Sequence, residues 1–481
     1  MRPRLAVVLA LLVVLAGCSA GYAGDPGAAP TTGTPDTAAN GPPASDPPDP
    51  TTDTLAWENG YWANETLTLD RSDGLNGTER DAVVSRAMAR VERTRGLEFE
   101  QDVPVELVSR EEFQQGGSRD YGTAFRRFDN AKFEALFLVG EGTDSLATQS
   151  ANRGSSVAGF YAPGQGRIVV IYGGETPDLP GEGTLAHELV HALQDQHFGL
   201  GSITASTREG SNANKGLVEG DANLVQDRYM ANCGAAWRCL PAPEGSSGGG
   251  SDGDFHVGVY VLNFFPYSDG PGFVDYYRQR GGWARGNELY AEPPASTEQV
   301  IHPRKYAVEP DPPTDVRLGD TARNGWTRVR PDGRDDAAVL GQSAIVSMFA
   351  YTLYDDYDES AVVAPDAFLN RKDGKLDRSD PFDYAIDYAD GWDGDRLHVY
   401  TRDGETAYVW KTTWDSPAEA REFADGYREL LRHWGGERVR DGVYRIDDGP
   451  FADSFRLVVD GDTVTVVNAP STPALGDVYA R

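Results

Sequence analysis

His187, Glu188 and His191 form an H-E-x-x-H inside the segment GTLAHELVHALQDQHFGL, which begins at Gly183. Residues four apart on an α-helix share one face, a turn apart. Both imidazoles can therefore grip a single ion. Glu188, next to the first of them, reaches a water bound to that ion. Zinc lowers the pKa of such a water to roughly 7, so a carboxylate can take its proton at neutral pH. Histidine is scarce, with seven in 481 residues, and a chance H-E-x-x-H here has odds on the order of one in a hundred. The plainer alternative is two satisfied histidines on a surface helix.

These side chains need a helix to hold them. Thr184 suits its N-cap, and Leu185, Leu189, Ala192 and Leu193 make an apolar stripe at helical spacing. Gly199 suits its end. A hydrolytic zinc site needs a third protein ligand and an open position. Glu219, in NKGLVEGDANLVQDRY, stands where Leu217, Val218, Ala222, Leu224 and Val225 predict a second helix. Packed against the first, that helix would aim Glu219 at the ion, and Gly220 and Ala222 permit close approach. The alternative for Glu219 is an ordinary solvated carboxylate.

HELVH followed by LVEGDA resembles the gluzincin metallopeptidases. The longer HELVHALQDQHF resembles an uncharacterised branch of lipoproteins and secreted proteins in that group. The branch resemblance runs from about residue 80 to about residue 430, while the general gluzincin match is confined to 183–223. The resemblance implies one Zn2+ held by His187, His191 and Glu219, with Glu188 as general base and a peptide or protein as substrate. It also implies an oxyanion donor from a downstream segment. In PPASTEQVIHPRKY, residues 293–306, His302 and Tyr306 are the candidates, because either can donate to an oxyanion. Carboxylates commonly hold zinc-bound imidazoles from behind. Asp195, Asp221 and Asn223 are the candidates here. Thermolysin-like enzymes carry an Asp four residues after the third ligand, where this chain has Asn223.

The fold class expected is α+β: a zincin-like catalytic domain of helices with a small edge-stranded sheet, then a small α+β C-terminal domain. Within the first, SSVAGFYAPGQGRIVVIYGG reads as a hairpin through a Pro-Gly turn, and VPVELVSREEF as a strand. The segment TERDAVVSRAMARVERTRGLEF and residues 122–139 read as helices. VYVLNFFPYSDGPGFVDYYRQRGG reads as two helices separated by a glycine break. In the C-terminal part, residues 391–416 read as two strands around Asp403-Gly404. SPAEAREFADGYRELLRHW reads as a helix capped by Ser416, and the last strands turn at Gly461-Asp462.

The chain carries 75 acidic and 44 basic residues, a net charge of −31. That disfavours nucleic-acid binding, which needs a basic footprint. Only six of the basic residues are lysine. An acidic, lysine-poor surface keeps a protein soluble in concentrated salt, and a halophilic archaeon is the expected source.

Arg2 and Arg4 precede an apolar run from Leu5 to Ala16, and Leu15 to Cys18 reads LAGC. The expected organisation is a lipoprotein signal peptide at 1–18, with lipid on Cys18, and a disordered Gly/Pro/Thr/Asp-rich tether at 19–55. A zincin-like domain at 56–310 and a C-terminal domain at 311–481 follow. The lipid would anchor the protein on the outer face of the cytoplasmic membrane. Cys233 and Cys239 are expected to form a local disulfide. Two function classes remain at this level: a zinc metallopeptidase, and a non-catalytic zinc-containing surface lipoprotein.

Overall fold

The computed structural model describes residues 49–69, 74–115, 121–173, 177–240, 255–355, 357, 359–377 and 380–480. Cys18, the signal segment, the tether up to residue 48 and the Gly/Ser-rich stretch 241–254 lie outside them. No helix among the described residues is long and apolar enough to cross a membrane.

The chain is a mixed α+β protein. Helix α1 (Gly77–Arg95) starts at a capping box, in which Asn76 accepts from the Glu79 backbone N–H and Glu79 accepts from that of Asn76. Strand β1 (Val105–Ser109) follows, then helices α2 (Thr123–Ala135) and α3 (Ser145–Ser156). The hairpin is present as β2 (Gly159–Ala162) and β3 (Arg167–Tyr172). β3 sits between antiparallel β2 and parallel β1, so β2 is an edge strand.

Two long helices come next: α4 (Glu182–Phe198), which carries the H-E-x-x-H, and α5 (Arg208–Ala231). Helix α6 (Val257–Glu288) lies against α5. The glycine break expected near Gly270 is absent. The helix passes through Pro266 and Pro271 and breaks at Gly281–Gly282 instead. Gly270 has another role: a Cβ on it would sit 2.4 Å from the Gly216 carbonyl oxygen, and one on Gly220 would sit 2.3 Å from the Gly270 carbonyl carbon. These glycines let two backbones touch, and the hydrogen-bonded turns of α6 tolerate Gly270 at modest cost.

The short helix α7 (Thr297–Ile301) and the apolar α8 (Gln342–Tyr351) lead into a C-terminal antiparallel sheet. Its strands are β4 (Thr327–Arg328), β5 (Ala337–Ala338), β6 (Trp392–Arg402), β7 (Glu405–Trp414), β8 (Glu437–Arg440), β9 (Val443–Arg445), β10 (Ser454–Asp460) and β11 (Thr463–Ala469). They lie in the order β8-β9-β10-β11-β7-β6-β4, with β5 also on β6. Helix α9 (Pro417–His433), capped by Ser416, packs on this sheet.

Residue 310 does not divide the cores. One apolar cluster runs from Phe128 on α2 and Phe265 on α6 through α8 to Trp410, Tyr427 and Val466. Phe137 alone contacts the rings of Tyr427, Trp434, Phe451 and Phe455. The second cluster joins α1, the small sheet and α4. Helix α5 belongs to both, with Leu217 in the first and Ala222, Val225 and Tyr229 in the second. The seam between the cores therefore runs along α5.

Candidate metal centre

Helix α4 begins at Gly181, which offers no side-chain cap, so Thr184 stands inside the first turn and not at its head. The cap's work falls to buried charge. Glu182 takes Arg86 at 2.5 Å and Arg90 at 2.8 Å from α1, the Tyr229 hydroxyl at 2.6 Å from α5 and the Leu240 N–H at 2.8 Å. A carboxylate at a helix N-terminus also complements the helix dipole. Arg95 on α1 pairs with Asp221 on α5 at 2.9 Å, and Tyr290 donates to the same carboxylate at 2.7 Å. The arginines of α1 thus fix α4 against α5. A disulfide joins Cys233 to Cys239 just past α5, and Trp237 in its loop lies under the Arg90 guanidinium.

That framing brings His187, His191 and Glu219 together. His187 Nε2 and His191 Nε2 are 3.1 Å apart, and Glu219 Oε2 lies 3.2 Å from the first and 3.3 Å from the second. Tetrahedral zinc with ligand distances of ~2.0–2.1 Å sets its ligands roughly 3.3 Å apart. The triangle matches that spacing on every edge. Gln194 Oε1 lies 2.9 Å from His191 Nδ1, and Gln226 Oε1 lies 3.1 Å from His187 Nδ1. An amide oxygen beside each Nδ1 favours the tautomer with its proton there, and a neutral imidazole so held offers its Nε2 lone pair. Two imidazole lone pairs and a carboxylate oxygen converging in a buried place repel one another unless a cation stands between them. The donor set of two nitrogens and one oxygen suits zinc. Without a metal, the triad shares a proton. Burial opposes a charged His191, but the adjacent Glu219 carboxylate outweighs it and lifts the imidazole to about 9. Burial likewise opposes the Glu219 charge, yet the two histidines hold its carboxyl far below the usual range.

The groups behind the imidazoles are glutamines, not the carboxylates the sequence suggested. Asp195 accepts from the Tyr161 hydroxyl at 3.0 Å and the Leu200 N–H at 2.8 Å, tying α4 to the edge strand. Asp221 is consumed by Arg95 and Tyr290. Asn223 donates to the Tyr267 carbonyl on α6 at 3.3 Å. These three brace the helices, and the hydrogen bonds to the two Nδ1 atoms come from Gln194 and Gln226 instead. Glutamine carries no charge or motif, so spacing alone gave no signal for Gln194 or Gln226.

Glu188 faces the edge strand. Its Oε2 accepts the Tyr161 N–H of β2 at 2.8 Å. The proposed oxyanion donors are engaged elsewhere. His302 lies 3.1 Å from Asp390 and 3.3 Å from the Gln342 amide, and Tyr306 donates to the Glu292 carbonyl at 2.5 Å. Both side chains thus have partners of their own around α7. The aromatic residue that does adjoin the triad is Tyr267, half-buried and stacked on His187 with ring centroids 6.3 Å apart.

Residues 327–479 match a family described as "Domain of unknown function (DUF8575)". That match covers the C-terminal sheet with α8 and α9 and leaves the H-E-x-x-H helices outside. No curated protein and no solved structure matches the chain.

Proposed function

We propose that this chain is a zinc-dependent metallopeptidase of gluzincin type, zincin-like in its first half. In this reading it is lipid-anchored through Cys18 on the outer face of the cytoplasmic membrane of a halophilic archaeon. The observation that carries the reading is the convergence of His187, His191 and Glu219 at tetrahedral spacing, with Glu188 between them and an open strand edge. A structural zinc site has no use for such a base.

His187, His191 and Glu219 would hold the ion, with Gln194 and Gln226 fixing the imidazole tautomers. Bound zinc supplies an acidified water and polarises the scissile carbonyl. The protein's own groups do the rest. The Tyr161 N–H pins Glu188 Oε2, which leaves Oε1 to take a proton and return it to the departing amine. The edge of β2 holds an extended peptide by its backbone, as sheet edges commonly do. Tyr267, whose ring stacks on His187, is the candidate for the oxyanion contact. The test is Glu188→Gln. It should abolish cleavage of a casein-type substrate, at least about 10³-fold, while zinc content stays at one per chain. Full activity in that variant would remove Glu188 from the chemistry. Tyr267→Phe should lower kcat more than it raises KM.

A further inference from the structure

Another group of oxygens converges on elements other than α4 and α5, where α2 meets the C-terminal sheet. Glu134 stands in the last turn of α2, Glu141 follows in the loop, and Asp453 precedes β10. One carboxylate oxygen from each lies within 4.8 Å of the other two. Glu134 is 5 % exposed and Asp453 4 %, whereas Glu141 opens to solvent. The backbone on either side is pressed together. Phe137 packs on Phe451 and Phe455, with ring centroids 5.0 and 5.7 Å away. The Glu141 N–H donates to the Pro450 carbonyl at 3.1 Å, and a Cβ on Gly140 would sit 2.5 Å from that same oxygen. The carboxylates are thus held in one place by contacts that do not involve their charge.

Held so, they repel. Burial, together with the negative charges of Asp453 and Glu141, pushes the Glu134 carboxyl well above its usual range, and burial raises Asp453 as well. Such a pair either shares a proton or takes a cation. Asn468 separates the two cases. It lies on β11, with Tyr408 of β7 and Phe455 of β10 as its cross-strand neighbours, and its side chain is fully buried. Its Nδ2 donates to Asp453 Oδ2 at 2.7 Å, the only sense in which that amide suits a carboxylate. Its Oδ1, on the same amide, is buried with no hydrogen-bond partner among the described residues. Buried acceptors rarely go unmatched. A proton shared between Glu134 and Asp453 does nothing for this oxygen, whereas a cation beside Asp453 satisfies it.

We propose that Glu134, Glu141, Asp453 and Asn468 Oδ1 form a site for one Ca2+ ion, which bolts α2 and its loop to the C-terminal sheet. The donors are all oxygens, with no imidazole or thiolate, which selects a hard cation over zinc. Ligands on opposite sides of Ca2+, each ~2.3–2.6 Å from it, stand about 5 Å apart, so the carboxylate spacing fits within its span. Mg2+ sheds its waters reluctantly and is seldom held by a cage of protein oxygens. The exposed Glu141 side lets the ion enter and leaves room for water on it.

This site is independent of the peptidase reading, and the experiment keeps the two apart. Full-chain protein, freed of divalent ions on a chelating resin, is titrated calorimetrically with Ca2+ in concentrated KCl, where screening suppresses loose binding to the acidic surface. One Ca2+ should bind per chain, and the melting temperature should climb with Ca2+ concentration. Glu134→Gln and Asp453→Asn keep the volume and remove one charge each. Both should weaken Ca2+ at least about 10-fold, since the number of charged ligands tunes Ca2+ affinity. In Ca2+-free buffer Glu134→Gln should melt no lower than wild type, because a buried like charge has gone, which shows that the variant folds. Glu219→Ala, which strikes the zinc triad, should leave Ca2+ affinity unchanged. Absence of saturable Ca2+ binding, or binding indifferent to both isosteric substitutions, overturns the site. Loss of Ca2+ with Glu219→Ala instead would place the ion at the triad and also overturn it, and Mg2+ binding as tightly as Ca2+ would overturn the assignment to Ca2+.

Discussion

Gln194 links His191 to the neighbouring helix. Its Oε1 lies 2.9 Å from His191 Nδ1, and its Nε2 donates to the Val218 carbonyl on α5 at 2.9 Å. The second bond fixes which way the amide faces, so the oxygen must point at the imidazole. Gln194 thereby favours one tautomer of a proposed ligand and ties it to the helix that bears another. Replacing it with Leu removes both functions without adding charge. Zinc affinity should fall by about 10–100-fold, as is usual when the group behind a metal-bound imidazole is lost. Competition with a chromophoric chelator measures this. Unchanged affinity would show that packing alone orients His191.

Gly220 is the residue next to Glu219, and its Cβ would overlap the Gly270 backbone. Gly220→Ala must therefore push α5 off α6. Overpacking of this kind costs about 1–3 kcal/mol, and here the displaced residue neighbours the proposed metal ligand Glu219. The variant should melt at lower temperature and also bind zinc more weakly than an equally destabilised variant in the C-terminal core. A loss of stability with native zinc affinity would mean that α5 absorbs the shift elsewhere.

His433 and Asp355 form a buried pair, Nε2 to Oδ2 at 2.6 Å, with His433 Nδ1 on the Ser360 carbonyl. Burial opposes the imidazolium, but Asp355 prevails and the pKa is raised. A histidine raised in the folded state contributes stability that is complete below its unfolded value, about 6.5, and is lost as pH climbs through the folded value. His433→Gln strands a buried carboxylate and should cost about 3 kcal/mol at pH 6. The difference from wild type should narrow as pH rises above 7. Denaturant melts at pH 6, 7.5 and 9 test this, and a difference that grows with pH would refute the assignment.

The site was legible from sequence where chemistry imposes a pattern. His187 and His191 must lie four apart, Glu188 must adjoin them, and Glu219 must sit on a second helix with small neighbours. The hairpin announced itself through Pro163-Gly164, and α9 through Ser416-Pro417. What stayed hidden depends on long-range contact. The N-terminus of α4 rests on Arg86 and Arg90, about 90 residues upstream, so local capping residues pointed to Thr184 in error. Gly270 reads as a breaker until Gly216 and Gly220 are seen against it. Asp195, Asp221 and Asn223 have the right spacing for the imidazoles but find stronger partners in Tyr161, Arg95 and the α6 backbone. The single core running from α2 to β11 likewise follows from Phe137, whose ring partners are roughly 300 residues away in sequence.

Helix α5 shows one side to each apolar cluster, and Glu219 rides on it. Neither half of the molecule can slip against the other without changing the distance between that carboxylate and the two histidines of α4. The ion would then act as a rivet through the seam, and its grip would gauge how well the halves are seated. Damage far away, in the aromatic nest around Phe137 for instance, would be felt first as metal loss, before any strand or helix had melted.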